Sequence, residues 1–106
     1  MNTISADELY AEMERIDVTM QQVIRRAGEG PAPDVERRLD THMRSLRAML
    51  GNDVATVVED AVEAAKRVLM SAEPAAPLMM LAMSRETLSA VLRRHAMRAP
   101  HTDLAA

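Results

Sequence analysis

His42 is the residue whose type and position come closest to chemistry, because it sits between Leu39 and Leu46 on an otherwise apolar helix face. A histidine there admits three active roles: a phosphoryl acceptor, a metal ligand, or a pH-sensitive element of an interface. The reading the sequence favours is structural, a boundary histidine whose ring covers apolar surface while one nitrogen meets solvent. Glu59, Asp60 and Glu63 are the second candidate group. Glu59 and Glu63 are four residues apart and share a helix face, but a di-metal site needs a second such pair on another helix. A solvated acidic face is therefore expected. His95 and His101 have no carboxylate or histidine at ligand spacing.

The absence of cysteine removes disulfides, thiolate zinc sites and thiol nucleophiles together. The sequence contains no glycine-rich phosphate loop and no nucleophile elbow. It thus predicts no catalytic, cofactor-binding or metal-ligating residue, and no enzyme. Arginines form two basic faces, Arg37, Arg38, Arg44 and Arg47 on one helix and Arg93, Arg94 and Arg98 on another. With a net charge of −3 and no aromatic platform for bases, these are expected to pair with carboxylates and not to bind nucleic acid directly.

The most informative stretch is Leu78-Met79-Met80-Leu81-Ala82-Met83, apolar on every side of a helix. Such a helix is either surrounded by its own fold or offered to something else. Methionine surfaces repack readily around varied partners. Leu78, Met79, Met80, Leu81, Met83 and Leu88 are accordingly the expected partner-binding residues, with a core helix or homodimer seam as the alternative. Replacing Met80 or Leu81 by Asp separates the two, since loss of binding with helicity intact marks a surface and loss of folding marks a core.

The elements that position these residues are helices. The organising run is Asp34 to Met70, along which Val35, Leu39, Met43, Leu46, Leu50, Val54, Val58, Ala61, Ala65 and Val68 recur at steps of three and four. Leu39, Met43, Leu46, Leu50, Val54 and Val58 are the expected seam of a homodimer. Before it, a helix over about 5–27 opens with the capping box Ser5–Glu8 and a staple between Ile4 and Leu9. Its stripe is Leu9, Met13, Ile16, Met20 and Val23, with Ile24 beside it. Gly28 stops that helix and Pro31–Pro33 turns the chain, with Asp34 as the next capping acid.

Gly51-Asn52-Asp53 leaves two possibilities. The helix ends there, with Gly51 in the left-handed region and Asp53 capping a new helix from Val54, or it runs through at a glycine cost of about 1 kcal/mol. A break is the favoured outcome. Pro74 and Pro77 mark the last boundary, and a final helix starts at or just after Pro77. Beyond Ser84 it turns Leu88, Val91, Leu92 and His95 inward and Arg85 outward. Pro100 ends it. The expectation is an all-α fold of three or four helices, a helical hairpin or bundle completed by dimerisation, with one domain over 1–99 and a disordered tail over 100–106.

At 106 residues with no Phe or Trp and one Tyr, the core must be built from aliphatic side chains and methionine. A small core of that kind favours oligomerisation or a partner as added burial. Twelve of the thirteen basic residues are Arg, with Lys66 the exception. The polar start lacks a signal core, and the longest uncharged run, Pro74 to Ser84, is eleven residues, too short to span a bilayer. A cytoplasmic protein without membrane contact is expected.

Pro33, Asp34, Glu36, Thr41, His42 and Arg44 together resemble a motif of quorum-sensing anti-activators of the TraM branch, in which a proline-rich turn leads into Asp-x-Glu and then Thr-His-x-Arg on a long helix. The acid-to-histidine interval is shorter here, and the C-terminal half carries no matching motif. The resemblance implies a small helical protein that binds a LuxR-type transcription regulator and silences it. The competing expectation is a chaperone or adaptor for a secreted or assembled helical protein, using the same apolar surface.

Overall fold

A computed structural model describes residues 5–99. Four α-helices follow one another: α1 (Ala6–Arg25), α2 (Pro33–Leu50), α3 (Ala55–Met70) and α4 (Ala75–Arg98), with a 3-10 turn over Gly51–Val54 between α2 and α3. Among the described residues there is no strand, so the fold is all-α. The staple partner Ile4 and the tail 100–106 lie outside the described residues.

Helix α1 begins as its sequence dictates. The Ser5 hydroxyl accepts from the Glu8 backbone N–H at 3.1 Å and the Glu8 carboxylate accepts from the Ser5 N–H at 3.3 Å, closing the capping box. Its stripe buries Leu9, Ile16, Met20 and Val23. The turn after α1 is held by α3. The N–H groups of Gly28 and Gly30 donate to the carbonyls of Val68 and Leu69 at 2.9 and 2.8 Å, satisfying acceptors that a helix C-terminus leaves open. Gly28 has φ +79°, and a Cβ on it would lie 3.2 Å from the Ser71 carbonyl oxygen. A side chain there would be strained by conformation and would crowd that carbonyl.

Helix α2 departs from expectation at both ends. Ala32, not Asp34, is the cap residue, Pro33 occupies the first helical position, and the Glu36 carboxylate accepts from the Ala32 N–H at 3.0 Å. At the other end the chain breaks at Gly51, but not through the left-handed helical region. Gly51 has φ +73° and ψ −158°, a conformation essentially restricted to glycine. Asp53 then caps nothing, and α3 is entered through the 3-10 turn.

Helix α3 is the most enclosed, burying Val58, Ala61, Val62, Ala64, Ala65, Val68 and Leu69. Its alanines let neighbours approach closely. Helices α1 and α3 each pack on the other three, while α2 and α4 flank them. The dimer seam expected along α2 and α3 is therefore filled from within one chain. Leu39, Leu46, Val54 and Val58 are fully buried in the common core, and Met43 and Leu50 pack against it. A 3.6-residue period shows that a face is covered; it does not say by which chain.

Helix α4 starts at Ala75, two residues earlier than expected, with Pro77 inside its first turn. Proline is tolerated there because the first N–H groups of a helix have no intrahelical partner. Leu81, Leu88, Leu92 and Ala96 face the core. Arg85, expected to point outward, folds back onto α1 and donates to Asp17 at 2.5 Å. No described helix is long and apolar enough to cross a membrane.

Candidate functional site

Two features stand out from the packed core. The first is a polar cluster between α1 and α2. Glu12 and Thr19 lie on the buried face of α1, 3% and 2% exposed, and His42 enters from α2. His42 Nδ1 is 2.8 Å from Glu12 Oε2, and His42 Nε2 is 2.8 Å from Thr19 Oγ1. Glu12 Oε1 accepts from the Arg15 guanidinium at 2.7 Å, and Thr19 Oγ1 lies 3.2 Å from the Arg15 carbonyl.

Two proton arrangements satisfy these contacts. In one, Thr19 donates to the Arg15 carbonyl and His42 donates from both nitrogens. In the other, Thr19 donates to Nε2 of a neutral ring. In both, Nδ1 donates to the Glu12 carboxylate. Among the described residues no buried side-chain polar atom is left without a partner. The sequence reading of His42 as a boundary residue with one nitrogen in water is thus corrected, since both nitrogens are engaged inside the fold. No nitrogen is free to receive a phosphoryl group in this arrangement.

Carboxylate, imidazole and hydroxyl in this order are the parts of an acyl-transfer triad. Here Thr19 is 2% exposed and its hydroxyl lies against the Arg15 carbonyl of its own helix. The cluster joins two helices. Among the described residues no group of three or more His, Cys, Asp or Glu side chains is placed to hold a metal. Glu59 and Glu63 are each directed at an arginine, Arg47 at 3.6 Å and Arg67 at 3.4 Å.

The second feature is the outer side of α4. Met79, Met80 and Met83 are 69%, 56% and 66% exposed, whereas Leu81 and Leu88 are 1% and 5% exposed and belong to the core. Leu78 is half-buried at the edge. The expected partner-binding set therefore divides: the three methionines form a surface, and the leucines hold the helix that carries it. The direction α4 faces is set by Leu81, Leu88 and Leu92 at helical spacing and by the Arg85–Asp17 pair. Its methionines are exposed because nothing else among the described residues reaches around to them.

Beside these methionines runs a groove between α3 and α4. One part, about 590 Å³, is lined by Asp60, Glu63, Ala64, Arg67, Pro77 and Met80 among others. The second part, about 200 Å³, adds Val57, Met83 and Thr87 and shares Asp60, Met80 and Ser84 with the first. A smaller cavity of about 70 Å³ lies between α1 and α4, with the Asp17–Arg85 pair on its wall.

No protein-family model matches the chain, and no curated protein or solved structure matches it either.

Glu12 and Thr19 went unnoticed in the sequence reading, although a signal was present. Glu12 falls three residues after Leu9 and four before Ile16, on the stripe itself, as His42 does between Leu39 and Leu46. Two polar interruptions on two apolar faces are a pair to be matched, since each alone would be a costly buried group.

Proposed function

We propose that this protein is a non-enzymatic interaction module that presents the outer face of α4 to another protein. The observation that carries the reading is the exposure of Met79, Met80 and Met83 on adjacent turns of one helix whose other side is fully packed. Isolated apolar residues on a surface are ordinary, but a contiguous flexible patch of this kind is what a protein interface uses. In its specific form, the partner is a transcription regulator that the module sequesters. The likeness of Pro33, Asp34, Glu36, Thr41, His42 and Arg44 to the anti-activator motif supports that form. Those residues lie on α2, away from the methionines, so on this reading they hold the scaffold and α4 makes the contact.

The test is capture from lysate by wild-type protein and by a Met79→Asp/Met83→Asp variant, with circular dichroism on both and light scattering on the eluates. A stoichiometric partner held by the wild type and lost by an equally helical variant supports the reading. A homodimer through the same methionines, with no other protein retained, overturns it.

A further inference from the structure

We infer that the α3–α4 groove seats one amphipathic helix of the partner, apolar along one stripe and flanked by lysine or arginine. This rests on the reading that the α4 face binds protein, and it names the kind of segment bound.

Shape is the first argument. Along α3 the groove runs from Val57 to Arg67, which at 1.5 Å per residue is about 15 Å, or roughly three helical turns. Ala64 is buried beneath it, and Ala76 and Ser84 on its lining are small, which leaves room for bulky side chains of an incoming helix between α3 and α4. Met80 and Met83 form one wall and adjust to the side chains they meet. Helix-in-groove docking needs these three properties: length, depth and an apolar lining.

Charge selects among occupants. Asp60 lines both parts of the groove and has no ion-pair partner among the described residues. Glu63 is 72% exposed in its side chain and among the described residues pairs only with Arg67, at 3.4 Å. Arg67 against Asp60 and Glu63 leaves the rim with one net negative charge, carried by the unpaired Asp60. An incoming basic flank would neutralise it, whereas an acidic helix or a phosphate backbone would be repelled. A second copy of this chain seated by a two-fold axis would set acidic rim against acidic rim.

The probe is a pair of synthetic helical peptides about four turns long, with the same leucine stripe and either lysine or glutamate on the flanks. The full chain carries 13C-labelled methionine methyls, and binding is followed by NMR. The lysine peptide is expected to saturate the shifts of Met80 and Met83 first. It should bind at least about ten-fold more tightly than the glutamate peptide, with the difference shrinking as salt rises past roughly 0.3 M. An Asp60→Lys/Glu63→Lys variant should reverse the preference while keeping its helicity.

Equal affinity for the two peptides, shifts centred on Met97 or Met49, or no saturable binding would each overturn the inference. So would shifts of Met80 and Met83 that follow protein concentration alone, which would mark a second copy as the occupant. A natural partner that is lost on Met79→Asp/Met83→Asp but retained by Asp60→Lys/Glu63→Lys sinks the basic helix and leaves the interaction module standing.

Discussion

The His42 imidazole and the Glu12 carboxylate meet at 2.8 Å although 30 residues separate them in the chain. This contact is the polar lock between α1 and α2, and its partners are unequally placed. The Glu12 side chain is 4% exposed and that of His42 is 12% exposed, while Arg15, the other group on Glu12, is 59% exposed.

His42→Leu strands a buried carboxylate with one solvent-side arginine. It should cost about 2–4 kcal/mol in urea unfolding. Glu12→Leu should cost less, because Arg15 can turn to water and only the ring N–H is orphaned. The double Leu variant should recover most of the loss, since removing both members of a buried polar pair is far cheaper than removing one. Strictly additive costs around this double-mutant cycle would show that the two side chains do not act as a pair.

Gly51→Ala addresses the break between α2 and α3. Nothing lies within 4 Å of the position a Cβ would take, so the whole penalty is conformational. Holding Ala at φ +73° and ψ −158° should cost about 1–3 kcal/mol. The variant should not gain helix, because joining α2 to α3 would pull Val54, fully buried, out of the core. A rise in helical content at unchanged stability would mean the break is soft.

The boundaries of this fold were legible because they are written in local chemistry. The capping box at Ser5 and Glu8, the glycine and prolines between α1 and α2, and the two prolines after α3 each act within a turn or two. The apolar stripes of α1, α2 and α3 were legible because polar residues mark their outer sides. Helix α4 offers no such marker between Leu78 and Met83, so periodicity could not choose between Leu81 and its methionine neighbours. That choice is made by packing against α1 and α3 and by Arg85 reaching Asp17, 68 residues away. The pairing of Glu12 with His42 is equally non-local. The same limit explains why the α2–α3 stripe looked like a dimer seam.

Asp34 carries the pH dependence that the electrostatics support. Desolvation is the largest single influence and raises its carboxyl pKa, but the Val35 and Asp34 backbone N–H groups and then the Arg26 and Arg38 guanidiniums together outweigh it, leaving the pKa below its ordinary value. A carboxyl with a lowered folded-state pKa favours the folded state above its unfolded value, and that contribution disappears as pH falls through the folded value. Because Asp34 is exposed, the effect on stability is small and is better read at the residue itself. In an NMR titration, Arg26→Gln and Arg38→Gln should each move the Asp34 midpoint upward. A midpoint unmoved by both would place the cause in the backbone alone.

Met80 and Leu81 are adjacent in sequence and face opposite worlds, 56% and 1% exposed. Leu81→Asp puts a charge into the space where α4 meets the core. It should unfold the domain or cost upwards of about 4 kcal/mol. Met80→Asp replaces a side chain that touches mostly water, and stability should change by no more than about 0.5 kcal/mol. Thermal unfolding of the two variants side by side therefore reads the orientation of α4 directly. If Met80→Asp were as damaging as Leu81→Asp, the methionines would be enclosed by the fold or by a second copy. The exposed face on which the interaction reading depends would then not exist.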